Sequence, residues 1–258
     1  MGQELPGIII HGDITELIAS GIRWEQLQIS FNMLLANTPL INDANLVAYH
    51  KFDGNGNDSK NSYNFTESGT ITYTNGLYKQ AADNGISGAN SLYIASDLIG
   101  TNAFSVVGNI KMNSQITSGA QAIFFIGKNP ANSFHCYTNY EYNGGTPRLN
   151  ITRGKPSVSV DTTYGTTTLP LNYFHFAYVW DLTSVFVHIN GSAIGTLSSS
   201  GYGSGGFSDT YNIMVDAAGT NFFYGRYDDW AVFNRALSVA QIGTLAIKPG
   251  NGVLGGEI

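Results

Sequence analysis

The chain has 258 residues, 43% hydrophobic and only 12% charged, with 12 Lys and Arg against 18 Asp and Glu, a formal net charge of −6. That length holds one large domain or two small ones, with enough chain to bury a core without staples. The acidic balance excludes nucleic acid as a partner, no apolar run approaches the roughly 18 residues of a membrane-spanning helix, and the single Cys136 excludes an internal disulfide or a multi-cysteine metal site.

In chain order, Met1–Pro6 lacks a basic region and the apolar run Ile8–Ile10 stops at His11, which is not the pattern of a secretory signal peptide. The chain as a whole is poor in charge and rich in Gly (31), Asn (25) and Tyr (15), as in a surface or extracellular β-protein. Both features together point to a virion component, assembled inside a cell and released by lysis. Asp13 to Ser20 reads as a short helix with Asp13 as its cap. Beyond it, Leu27, Ile29, Phe31, Met33 and Leu35 alternate as in a strand with one buried face. Trp24, Leu27, Phe31 and Leu34 also suit a helix over 22–36, so both readings stand. Either way residues 1–43 carry an apolar face with no partner of their own, as expected of an anchoring or oligomerisation arm.

From Asn45 the pattern changes to short β-runs separated by turn signals such as Asp53-Gly54, Asn75-Gly76, Asn143-Gly144 and Asn190-Gly191. The expected strands are Leu46–Phe52, Thr70–Thr74, Ser91–Ala95, Phe104–Met112, Ala122–Gly127, Ser133–Thr138, Arg148–Thr152, Phe174–Trp180, Ser184–Asn190, Tyr211–Asp216 and Arg226–Phe233. One helix, Ser238–Leu245, is capped by Ser238 and stopped by Pro249-Gly250. Many short strands and almost no helix predict an all-β sandwich or jelly roll over 44–247, followed by a Gly-rich tail at 248–258.

Three ordered segments carry a resemblance. They are Leu46-Val47-Ala48-Tyr49-His50-Lys51-Phe52-Asp53-Gly54 with Asn57-Asp58-Ser59; His175-Phe176-Ala177-Tyr178-Val179-Trp180-Asp181 leading to Asn190-Gly191; and Gly225-Arg226-Tyr227-Asp228-Asp229-Trp230 running on to Asn234-Arg235-Ala236-Leu237-Ser238. Together they resemble the concanavalin A-like, laminin-G-like jelly rolls over about 200 residues. Asn109 and Tyr173 depart from that pattern, standing where the family commonly has Trp. The resemblance implies a structural calcium between the first and third segments, which makes Asp53, Asn57, Asp58, Asp228 and Asp229 the candidate ligands. Calcium takes roughly six to eight hard oxygens, which loops dense in Asp and Asn supply. The competing reading makes Asp53 and Asn57 ordinary turn residues, with Asp228 and Asp229 alternating between the faces of a strand.

Catalysis finds little support. The six Glu residues (4, 16, 25, 67, 141 and 257) do not form the closely paired carboxylates of sandwich glucanases, and no nucleophile elbow precedes a helix. His175 and His188 read as buried structural side chains and Cys136 as a small buried hydrophobe. Tyr137, Tyr140, Tyr142 and Asn143 are the candidate glycan contacts, since Tyr rings stack on sugars and Asn bonds hydroxyls; the same aromatics also suit a structural or subunit surface. The expected protein is a non-enzymatic, homo-oligomeric virion component (tail fibre, spike-associated or capsid decoration). It attaches to other virion proteins through 1–43 and touches host-surface glycans through a lectin-like domain. The alternatives are a purely structural jelly roll and a carbohydrate-active enzyme.

Overall fold

Two apolar runs, Phe104–Met112 and Phe174–Trp180, are too continuous to have a solvated face, and they pair antiparallel in the middle of one sheet. The computed structural model describes residues 4–5, 8–9, 42–60, 62–86, 89–96, 98–99, 102–127, 135–143, 145–155, 158–166, 168–198, 210–215 and 219–247. Only backbone enters at 4–5, 8–9, 125–127, 135, 143, 152–155, 158–166, 197, 198 and 247. The chain divides into two units, Met1–Thr38 and Pro39–Ile258. In the first, β1 (Glu4–Leu5) and β2 (Ile8–Ile9) pair antiparallel. The helix expected at Asp13–Ser20 and the strand or helix expected around Leu27–Leu35 lie outside the described residues.

The second unit is the all-β sandwich. In chain order its strands are β3 (Leu46–His50), β4 (Thr66–Ser68), β5 (Thr72–Asn75), β6 (Gln80–Asp83), β7 (Ser91–Ile94), β8 (Phe104–Met112), β9 (Gly119–Gly127), β10 (His135–Asn143), β11 (Thr146–Lys155) and β12 (Val158–Thr166). There follow β13 (Phe174–Trp180), β14 (Ser184–Ile189), β15 (Ser192–Ser198), β16 (Tyr211–Ile213), β17 (Gly225–Phe233) and one helix, α1 (Val239–Ile247). One sheet has seven strands in the order β12-β11-β10-β9-β16-β7-β4. The other has eight, ordered β15-β14-β13-β8-β17-β6-β5 with β3 also paired to β17. The pairings within both sheets are antiparallel. Among the described residues no helix is long and apolar enough to cross a membrane.

The main core lies between the sheets and takes alternate residues from each: Leu92, Ile94, Phe124, Tyr140, Leu149 and Ile151 from one, Val106, Ile110, Phe176, Tyr178 and Trp230 from the other. Aromatic pairs fill it, including Phe124 edge-on to Tyr178 at 4.8 Å and Phe176 stacked on Trp230 at 6.1 Å. A second apolar cluster covers the outer face of the eight-stranded sheet. There Leu237 and Ile242 close over Val107, Ala177, Val179, Ala231 and Phe233. The helix starts with a reciprocal capping box: Ser238 Oγ accepts the Gln241 N–H at 3.2 Å, and Gln241 Oε1 accepts the Ser238 N–H at 3.0 Å.

Candidate functional site

The acidic residues separate into distinct tasks. Asp58 is buried, and its carboxylate takes four backbone N–H groups: Tyr49 at 2.8 Å and Lys60 at 3.0 Å on Oδ1, Ser62 and Tyr63 at 3.1 Å on Oδ2. It therefore knots the 58–63 loop to β3. Asp53 accepts the Gln80 N–H at 3.1 Å and lies 3.7 Å from the Lys79 ammonium, while the exposed Asn57 gives its N–H to Asn55 Oδ1.

Asp228 and Asp229 do not alternate across an extended strand as one sequence reading had it. The register of β17 against β8 shifts between Asp228, opposite Asn109, and Ala231, opposite Val107, and Asp229 adopts φ 50° in that bulge. Asp228 Oδ2 accepts the N–H groups of Leu77 at 2.6 Å and Tyr78 at 2.9 Å; Asp229 accepts the Tyr49 hydroxyl. Asp228 Oδ1 is buried without a partner, and burial, with the Asp229 charge beside it, pushes this carboxyl up to about 8. Most of these oxygens already accept hydrogen bonds from the chain, whereas Asp228 Oδ1, on which the Asp229 and Asp53 charges both act, does not. Among the described residues no three His, Cys, Asp or Glu side chains converge as a metal site requires.

Strand alternation also re-sorts the aromatic candidates. Cys136, Thr138 and Tyr140 are buried on the inner side of β10, and Tyr142 packs partly buried against the same core. Tyr140, expected at a glycan surface, is fully buried; its hydroxyl donates to Gln115 Oε1 at 3.0 Å and accepts the Leu169 N–H at 3.3 Å. Asn143 pairs its backbone with Thr146 where β10 turns into β11. Tyr137 has the opposite parity and stands half-buried on the outer face.

The register extends from Tyr137 across the seven-stranded sheet. Tyr137 is opposite Phe125, Phe125 opposite Asn212, Asn212 opposite Tyr93 and Tyr93 opposite Thr66. Tyr93 and Asn212 are half-buried while their neighbours Leu92, Ile94, Tyr211 and Ile213 enter the core, so Tyr93, Asn212 and Tyr137 share the outer face. Two positions along β10, Asn139 faces Asn150 of β11. Sequence reasoning missed Tyr93 and Asn212 because neither lies near Tyr137 in the chain; only strand order unites them.

A concavity of about 380 Å³ lies between α1 and the outer face of β13 and β14, lined by Phe186, His188, Arg235 and Ile242 among others. Its Arg235 is already committed to Asp43, Gln241 and the Ala236 carbonyl. Nearby His175 is buried with both ring nitrogens unpartnered, and burial pushes it down to about 4.

An antiparallel sandwich with half-buried Tyr93, Asn212 and Tyr137 on one outer face defines a lectin-type fold. The chain belongs to the concanavalin A-like lectin/glucanases superfamily, whose laminin-G-type family model matches residues 86–243. No curated protein matches it in sequence. Among solved structures it is similar to domain 4 of AbnA, an extracellular GH43 arabinanase from Geobacillus stearothermophilus, in complex with arabinotriose. The identity there is 22% and the TM-score 0.63, over 78% of this chain and 98% of that one. It is also similar to botulinum neurotoxin type C, whose cell entry depends on interaction with two ganglioside molecules (15% identity, TM-score 0.61, 80% of this chain and 51% of that one). A third is the binding domain of botulinum neurotoxin DC in complex with rat synaptotagmin II (15%, TM-score 0.60, 80% and 52%). The match spans about half of each toxin chain, and identities this low establish the shared fold alone.

Proposed function

We propose that the protein is a non-enzymatic glycan-binding component of a virion exterior: a tail fibre, a spike-associated protein or a capsid decoration. The observation that carries the glycan reading is the outer-face row of Tyr93, Asn212 and Tyr137 on a lectin-type sandwich. Flat rings with a polar edge stack on sugar rings, and a carboxamide both donates to and accepts from hydroxyls. The AbnA domain holds arabinotriose on the same fold, which supports carbohydrate as the ligand class. Low charge and a separate N-terminal unit support the virion setting, with 1–43 joining a homo-oligomer to other virion proteins. The intact protein should bind saturably on an array of host-surface glycans, and Tyr137→Ala should abolish binding while the protein still unfolds cooperatively. No binding across the array would leave the purely structural jelly roll, the reading that the burial of Tyr140 favours. Mass spectrometry of purified particles tests the setting; absence of the chain from them overturns it.

A further inference from the structure

We infer that the ligand of the seven-stranded face is a linear, uncharged oligosaccharide of about three to four units lying across the strands, stacked at its ends on Tyr93 and Tyr137 with Asn212 beneath its middle. This deepens the glycan-binding function proposed above and rests on it.

The argument is one of spacing. Tyr93 is on β7 and Tyr137 on β10, with β16 and β9 between them, so three inter-strand steps of about 4.8 Å separate the rings by about 14 Å. A sugar unit in an extended chain advances by about one such step, so a chain of about three to four units spans both rings. Along a strand, same-face neighbours recur every about 6.6 Å, and following β10 from Tyr137 leads to Asn139 and Glu141 one way and to His135 the other, with no second tyrosine. A chain that uses both aromatic platforms therefore runs across the strands. A compact or branched headgroup reaches one ring only.

The charge pattern sets the chemical class. None of the described side chains in the row (Thr66, Tyr93, Asn212 and Tyr137) is charged. The nearest charge along β10, Glu141, is four positions from Tyr137 and opposite Arg148 of β11; Arg153 stands opposite Cys136 at the other parity, and the row itself continues from Tyr137 through Thr152 to the acidic Asp161 of β12. A uronic or sialic acid on the row would lose water without gaining a cation, whereas hydroxyls find ring faces and a carboxamide.

The test is calorimetric titration of the full chain with cello-, xylo-, manno- and arabino-oligosaccharides from di- to hexasaccharide, beside sialylated and uronic oligosaccharides of the same lengths. In one neutral series affinity should rise roughly tenfold or more from disaccharide to tetrasaccharide and then level off. Tyr93→Ala and Tyr137→Ala should each remove that rise, while Tyr93→Phe and Tyr137→Phe, which keep the rings, should retain it. Affinity independent of length, a rise that survives both alanine variants, or a preference for the acidic sugars would overturn the inference while leaving glycan recognition standing. Failure of every series, and of the parent polysaccharides, would remove both.

Discussion

The Trp230 ring lies against Gly108, so closely that a Cβ at 108 would overlap Cε3 and sit 3.1 Å from Cδ2 and Cζ3. The bulge after Asp228 creates this contact. It turns Trp230 into the core, where the indole stacks on Phe176, meets Tyr227 edge-on at 5.2 Å and donates to the Tyr211 hydroxyl. One methyl at 108 therefore has to push a fully buried ring out of a bonded position. We predict that Gly108→Ala costs about 1–3 kcal/mol by overpacking, read as a lower urea midpoint with an unchanged slope. A midpoint equal to the parent's would show that the indole has room to move.

Asp58 yields a prediction that separates clamp from metal ligand. Its oxygens serve four N–H groups, of which the buried one of Tyr49 costs about 1–3 kcal/mol when left unpaired and the partly buried ones of Lys60, Ser62 and Tyr63 less each. Asp58→Ala should therefore cost several kcal/mol, and chelation of the parent protein should leave its melting temperature unchanged. A melt lowered by EDTA and restored by calcium would show that the acidic loops hold an ion and that Asp58 is not a clamp alone.

Strands with apolar periodicity were legible from the chain alone: Phe104–Met112 and Phe174–Trp180 fall where β-branched and aromatic residues predict them. Thr66–Ser68, Gln80–Asp83, Val158–Thr166 and Ser192–Ser198 were not, because short polar or small-residue strands owe their conformation to neighbours rather than to propensity. The site was legible by half. Tyr137 could be found in a Tyr- and Asn-rich stretch, but parity sends Tyr140 inward, and Tyr93 joins Tyr137 only through a strand order that no local pattern encodes. The bulge at Asp228 was equally hidden, since nothing in Tyr-Asp-Asp-Trp marks Asp229 as the residue that leaves the ladder.

The buried titrating groups oppose one another in pH. Burial lowers His50 and His175 to about 4 and lowers His188 as well, all from an unfolded value near 6.5. Between about pH 4 and 6.5 the unfolded chain binds these protons and the native protein does not, so their contribution is complete above 6.5 and lost as pH falls. Asp228 acts the other way. With its carboxyl raised to about 8 from 3.8, the native state holds a proton that the unfolded chain releases, so stability declines as pH rises from about 4 to 8. The histidines prevail below 6.5 and Asp228 acts alone above it, giving a stability maximum near pH 6.5. The fall beyond it is at most about 1.4 kcal/mol per pH unit for the one proton involved. Chemical denaturation at stepped pH should show this maximum, and Asp228→Asn should flatten the alkaline side alone. An alkaline limb unchanged in that variant would assign it to another group.

The attachment of α1 depends on one hydroxyl. Buried Ser105, on β8, donates its Oγ–H to the Arg235 carbonyl at 2.9 Å and accepts the Leu237 N–H at 2.8 Å, tying the chain to the sheet just before the helix begins. Ser105→Ala leaves both backbone groups without a partner, each costing about 1–3 kcal/mol, at the point where Leu237 enters the outer apolar cluster. Ser238→Ala removes only the capping box, worth about 1 kcal/mol, and leaves that tie intact. Hydrogen exchange should therefore quicken across Val239–Ile247 in both variants. In Ser105→Ala it should quicken also in β13 and β17, whose outer faces the helix covers, with increased binding of a hydrophobic dye. If Ser238→Ala exposes those strands as strongly, the helix is held by its own cap rather than by the sheet.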